Sequence, residues 1–212
     1  FYKAYEGATG YDGGNNLDIK DLDAAYKSYY PFVVNGKNFL DAAYEVATRY
    51  GVIQIFTAGN RDGMKESYTR AMLPYFRPDA EKYWLNVTGQ LEGDTQRYNT
   101  PGHSKWWSVA APAKPIYSTV VDLKTGKADY DTKGGTSMAA PHVTGALGVI
   151  MQRYPYMNNA QIREVLLTTA RQVHDDFKEP ADTRKISGFS AALGVPDERW
   201  GWGVVDLYKA MF

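Results

Sequence analysis

Phe39, Leu40, Ala43, Val46, Ala47 and Tyr50 recur three and four residues apart, the spacing of one face of an amphipathic helix. Gly51 is the residue type that ends such a helix. Val52-Ile53-Gln54-Ile55-Phe56 follows as a short β-branched run closing in Thr57-Ala58-Gly59-Asn60, and it predicts a strand. A helix feeding an apolar strand is the unit of a parallel sheet covered by helices. Further strands are predicted over 84–88, 108–111 and around 116–121, with Lys124-Thr125-Gly126-Lys127 turning the chain into a polar loop that runs to Gly134-Gly135. A helix is expected over 138–154, ended by Pro155. A second is capped by Asn159, with Ile162, Val165, Leu166 and Thr169 as its buried stripe. Trp200-Gly201-Trp202-Gly203 leads to a terminal helix near 206–211. Residues 61–82 read as loop. Residues 1–37, rich in Gly, Asn, Asp and Tyr, also read as loop, with a short helix over 20–29. No repeat or linker interrupts the pattern, which predicts one α/β domain over 1–212 with a mainly parallel sheet.

Composition narrows the function classes. The chain has 212 residues, 44% hydrophobic and 23% charged, which suits a packed domain and excludes disorder. Lys+Arg and Asp+Glu balance at 24 each, so neither a nucleic-acid stripe nor an anionic-membrane patch is expected. The longest mainly apolar run, Ala139–Met151, contains His142 and Thr144 and is too short to span a bilayer. The chain opens on Phe1-Tyr2-Lys3 with no initiator, basic n-region or h-region, so a processed, truncated or cleaved polypeptide is expected. Absence of cysteine removes disulfides, thiolate catalysis and Cys-based zinc sites. No acidic cluster matches a calcium motif, and no cofactor is expected.

The most specific string is Gly134-Gly135-Thr136-Ser137-Met138-Ala139-Ala140-Pro141-His142-Val143-Thr144-Gly145. Two glycines permit a tight backbone approach, and a serine stands in the first turn of a helix. There its backbone N–H is unpaired and, with the helix dipole, faces any developing negative charge. Ala139, Ala140, Gly145, Ala146 and Gly148 occupy several faces, as expected of a helix buried all round. Pro141 falls near the first turn, where a missing N–H costs little. A bare Gly-Thr-Ser would more often be a helix cap.

The whole string resembles the nucleophile motif of the subtilisin-like (subtilase) serine proteases, Gly-Thr-Ser-Met-Ala-x-Pro-His-Val-x-Gly. Other segments resemble the family in the same order: Phe56-Thr57-Ala58-Gly59-Asn60, Val109-Ala110-Ala111-Pro112 with Ile116-Tyr117-Ser118-Thr119, and Gly201-Trp202-Gly203-Val204-Val205-Asp206. The resemblance covers residues 38–212. Tyr154-Pro155-Tyr156-Met157, Leu166-Leu167-Thr168-Thr169-Ala170 and the Trp202 ending are most similar to subtilase passengers of bacterial autotransporters. The resemblance implies the C-terminal part of a subtilisin-like three-layer domain. It also implies an endopeptidase in which Ser137 is the nucleophile, Asn60 and the Ser137 N–H bind the oxyanion, and Thr57, Ala58 and Gly59 form one wall of the substrate pocket. The opposite wall would lie near Thr69–Pro74. Expected partners are polypeptide substrates and the remaining, N-terminal part of the protease. The expected location is secreted or on a bacterial cell surface.

One part of the pattern is missing. The family's Asp and His-Gly-Thr motifs lie well upstream of the oxyanion Asn, yet only 59 residues precede Asn60 and they contain no His. Asp12-Gly13 reads as a turn, and the family's Ser-Leu/Trp-Gly substrate strand is absent. Among the histidines, His142 belongs to the Pro-His-Val string, His103 to a Pro-Gly-His-Ser turn, and His174 to an acidic stretch with Asp175 and Asp176. Without a base, Ser137 is a poor nucleophile, so the chain alone is expected to be inactive. One rival is a hydrolase using His103, Asp122 and Ser137, in an order that requires a double β-barrel. Another is a non-catalytic binding or structural module. Asn86-Val87-Thr88 matches a glycosylation acceptor but falls in a predicted strand.

Overall fold

The structure is a computed structural model and describes residues 39–61, 63–96, 98–173 and 196–212. The expectations for residues 1–37 and for His174 lie outside these.

Helix α1 (Phe39–Tyr50) forms on the predicted face, burying Leu40 and Ala47, and Gly51 closes it by donating to Ala47 O at 2.9 Å. It feeds β1 (Gln54–Thr57), which pairs in parallel with β2 (Trp84–Gln90), itself parallel to β3 (Ser108–Pro112). The order is β1-β2-β3, with Gln54 opposite Trp84 and Asn86 opposite Ser108.

Alternation along β2 sorts its side chains into two layers. Leu85 and Val87 face a core built with Val109, Ala111, Val143, Leu147, Ile150, Ile162 and Leu166, supplied in part by α3 (Thr136–Arg153) and α4 (Asn159–Thr168). Trp84 faces the other way, against Leu40, Met72, Leu73 and Trp107. Each fully buried large aliphatic side chain contributes about 1.5–3 kcal/mol. The result is helices on both faces of a parallel sheet, as expected.

Among the described residues β1 pairs only with β2, so its other edge is open, and Val52 beside it is 43% exposed. Helix α5 (Leu207–Met211) is capped by Asp206, which accepts from Lys209 N at 2.9 Å.

Four expectations are corrected. Residues 61–82 are not all loop: 3₁₀ turns at Thr69–Met72 and Pro78–Tyr83 flank a short helix, α2 (Leu73–Phe76). They lack a helical stripe because each element is only 4 to 6 residues long, although Met72, Leu73 and Ala80 enter one cluster with Leu40 and Trp84.

The polar loop before Gly134 contains a strand, β5 (Ala128–Lys133), antiparallel to β4 (Ile116–Val121). Every β5 residue is exposed, so no hydrophobic alternation marks it. Asn158, not Asn159, caps α4 through a capping box with Gln161, while the Asn159 side chain donates to Gly51 O at 2.8 Å. Finally, α3 is not buried all round: Pro141, His142, Thr144, Gly145, Gly148 and Val149 are exposed in the described structure.

Candidate active site

The site forms where the end of β1 meets the start of α3. Ala58 N donates to Val87 O at 2.8 Å, extending the sheet one residue past β1. Gly59 then takes φ +128°, and a Cβ there would lie 2.7 Å from Asn99 Cγ and from Tyr68 Cζ. Only glycine permits this turn so close to its neighbours. It delivers Asn60 to the surface.

On the other side, Gly135 N donates to Ala113 O at 2.9 Å, anchoring the start of α3 just beyond β3. Gly135 has φ +142°, and a Cβ there would come within 3.1 Å of Asn60 Nδ2. Asn60 Oδ1 accepts from both Thr136 N and Thr136 Oγ1, each at 2.8 Å. A backbone N–H can only donate, so this contact fixes which end of the Asn60 amide is oxygen and leaves Nδ2 as the free donor. Asn60 and the Thr136–Ser137 turn are thereby brought together.

Ser137 is exposed, and neither its N–H nor its Oγ has a hydrogen-bond partner among the described residues. It stands in the first turn of an 18-residue helix, where unpaired N–H groups favour negative charge. The arrangement is a solvent-facing hydroxyl beside an oriented amide and a helix N-terminus.

Thr57 Oγ1 accepts from Arg70 Nη2 at 3.4 Å. The Ala58 and Gly59 carbonyls are already engaged, by Tyr68 N at 2.8 Å and Asn99 N at 3.3 Å. These two residues therefore offer a surface more than free acceptors.

Asn99, Tyr68 and Arg70 were not singled out by the sequence. Asn99 is fully buried, donating to Glu66 O at 2.7 Å and accepting from Arg61 N at 2.8 Å. Asn60 N donates to the Tyr68 hydroxyl at 3.4 Å. A positive-φ Gly59 was the nearest signal, since such a turn needs a support behind it.

No histidine reaches Ser137 Oγ among the described residues. His142 Nδ1 lies 2.7 Å from Met138 O in its own helix. His103 Nδ1 is 2.5 Å from Glu66 Oε1, and its N–H donates to Glu66 Oε2 at 3.0 Å. Burial raises the Glu66 carboxyl above its ordinary value, and the His103 contacts oppose that shift.

Asp122 closes the β4–β5 turn by accepting from Lys124 N at 2.8 Å and Thr125 Oγ1 at 2.9 Å, and these bonds hold its pKa low. With His103 and Asp122 each engaged elsewhere, and a parallel sheet in place of a double barrel, the His103–Asp122–Ser137 alternative is not formed.

Asn86 is fully buried, its Nδ2 within 2.7–2.8 Å of the Ser67, Ser104 and Ser108 hydroxyls, so it is no glycan acceptor in this fold. Among the described residues no group of three or more His, Asp or Glu side chains could hold a metal ion. No helix among them is long and apolar enough to cross a membrane.

A sequence profile of the Subtilase family matches residues 26–203. The chain is 33% identical to an extracellular serine protease of Serratia marcescens over 78% of its own length and 16% of that protein's. It is 31% identical to the autotransporter lipoprotein NalP of Neisseria meningitidis serogroup B, over 95% of its length and 17% of that protein's. It thus spans less than a fifth of either relative. Among solved structures, the prenylagaramide maturation protease PagA superposes with a TM-score of 0.60 at 18% identity, over 92% of this chain and 67% of that one. That likeness is one of fold and agrees with the three-layer α/β architecture. The chain belongs to the subtilase family.

Proposed function

We propose that this chain is the nucleophile-bearing part of a secreted or cell-surface serine endopeptidase. Ser137 Oγ attacks the scissile carbonyl and the leaving amine departs, giving an acyl-enzyme that water then hydrolyses. Asn60 Nδ2 and the Ser137 N–H stabilise the oxyanion of each tetrahedral intermediate. The observation that carries this reading is the pair of 2.8 Å hydrogen bonds from Thr136 to Asn60 Oδ1, which turn the donor end of the amide outward beside Ser137.

The general base and its carboxylate come from a further segment, upstream in a longer protease. Two features support this. No histidine engages Ser137 among the described residues, and the chain spans 16% of its Serratia relative. The outer face of α3 suits such a segment: it carries no Asp, Glu, Lys or Arg from Thr136 to Gln152, and Gly145 and Gly148 leave open space around it. The open edge of β1 is a second surface for it. Secretion or surface display follows the extracellular and autotransporter relatives.

The test uses the longer protease containing both parts. A fluorophosphonate probe should label Ser137, and Ser137→Ala should abolish labelling and peptide hydrolysis together. Labelling of a different serine, with full activity in Ser137→Ala, defeats the reading. A second reading, a non-catalytic module, rests on the missing base. It is supported if intact-mass analysis of the natural protein finds this polypeptide with no upstream part.

A further inference from the structure

We propose that Arg70 makes this protease select an acidic residue, Asp or Glu, at the position that supplies the scissile carbonyl. The inference rests on the assignment of Ser137 and Asn60 in the preceding section.

Arg70 lies in the 3₁₀ turn Thr69–Met72, on the segment expected to face Thr57–Gly59 across the pocket. It is half-buried and directed at that strand: its Nη2 donates to Thr57 Oγ1 at 3.4 Å, and its guanidinium carbon sits 5.1 Å from the centre of the Tyr68 ring. Tyr68 in turn accepts from Asn60 N through its hydroxyl at 3.4 Å. Asn60, Tyr68, Arg70 and Thr57 therefore form one connected surface.

What Arg70 lacks is a counter-charge. Arg77 pairs with Asp41 at 2.7 Å, and the buried Arg163 pairs with Glu164 at 2.5 Å. Among the described residues no carboxylate pairs with Arg70. A guanidinium presents five N–H donors, and here one long bond to a neutral hydroxyl and one ring face are its contacts. Burying part of a cation without an anion is unfavourable, and a bidentate carboxylate is the group that fits the fork.

Among the described residues the surrounding charges do not supply that anion. Between Thr57 and Pro74 the chain carries Arg61, Lys65 and Arg70 against Asp62 and Glu66, and the Glu66 carboxylate is engaged by His103. Thr57–Gly59 is the wall that the resemblance implies for the substrate pocket, and Arg70, bonded to Thr57 Oγ1, stands at that wall. A carboxylate there would complete Arg70.

The experiment compares kcat/KM of the longer, two-part protease on peptides differing only at that residue: Glu, Gln, Asp, Asn, Leu, Phe and Lys. Glu over Gln and Asp over Asn isolate charge from shape. At least one of these ratios should be about 10-fold or more at low salt and should shrink as salt rises. Arg70→Met, which keeps the apolar stem, should bring that ratio close to one, and Arg70→Glu should shift preference toward Lys.

A wild-type enzyme that labels at Ser137 yet shows no gain for Glu or Asp overturns the inference and leaves the protease reading intact. So does a gain that Arg70→Met does not reduce. An enzyme that is not labelled at Ser137 overturns both. Where Arg70→Met fails to fold, Arg70→Gln, which keeps a polar head group without the charge, carries the same expectation.

Discussion

Thr136 grips Asn60 with two donors, its backbone N–H and its hydroxyl, both 2.8 Å from Asn60 Oδ1. The residue preceding Ser137 thus orients the amide on the opposite loop. The single interaction joins two segments 76 residues apart in the chain. An oxyanion donor is effective only when it is aimed before charge develops, because reorganisation during reaction raises the barrier. In the two-part protease, Asn60→Ala should lower kcat by about 10²–10³ with little change in KM, the loss known for one such donor in a protease of this family. Thr136→Val keeps the backbone donor and loses the hydroxyl, so its loss in kcat should be roughly 5–10-fold. Steady-state kinetics on one peptide checks both, and an Asn60→Ala enzyme with unchanged kcat removes Asn60 from the site.

Asn99 braces the same loop from behind. Its side chain spans Glu66 O and Arg61 N, and its Cγ fills the space that a Gly59 side chain would need. Asn99→Ala removes the bonds that its side chain gives the Glu66 carbonyl and the Arg61 N–H, which costs about 1–3 kcal/mol for each. Stability should fall by that order in denaturant titration. Because the loop also carries Asn60, kcat measured where the variant remains folded should fall more than KM changes. A variant that is destabilised but has wild-type kcat would make Asn99 a purely structural residue.

Acid should loosen the connection between the loop after β2 and the chain after α4. Arg171 forms a fork with Asp94, with bonds of 2.8 and 2.9 Å, and these bonds hold the Asp94 carboxyl below its ordinary value. A carboxyl whose pKa is depressed by folding contributes stability that is present above its unfolded pKa of about 3.9 and is lost as pH falls through the folded pKa. Both side chains reach solvent, so the pair is worth at most about 1 kcal/mol. Asp94→Asn should therefore be slightly less stable than the parent at pH 7, and the gap should close as pH falls through the depressed Asp94 pKa. Denaturant titrations at pH 7 and below that pKa test this, and an equal gap at both would refute the linkage.

Among the described residues β1 has an unpaired edge and α3 an uncharged outer face, and together these predict how the isolated 212-residue polypeptide behaves. An unpaired strand edge recruits another chain. Separated from any upstream segment, the polypeptide should be oligomeric or aggregated by light scattering and should hydrolyse peptides negligibly. A monomeric chain with robust proteolysis would require a base within these residues and would end the two-part account.

Helices α1 and α3, the strands β1 to β3, and the position of Ser137 in the first turn of α3 were legible in the sequence. Each rests on local periodicity, or on a string whose residue types serve one purpose at one place. Local order ends where a side chain is held by something distant. The turn Thr69–Met72 has no periodicity to read, because it is four residues long and three of them, Thr69, Ala71 and Met72, are buried. Strand β5 exposes both faces, so hydrophobic alternation could not mark it, and only pairing with β4 makes it a strand. Asn158 and Asn159 are the same residue type, and choosing the cap needed the backbone angles that place one of them outside the helix. The sequence by itself determined helix α3, the Thr136-Ser137 string that opens it, and the strand that leads toward Asn60. Only the tertiary structure decided that Asn60 is held by Thr136, that Asn99 stands behind Gly59, and that Arg70 meets Thr57 without a counter-charge. Those are contacts between segments far apart in the chain, set by packing against the sheet, and no spacing along the sequence encodes them.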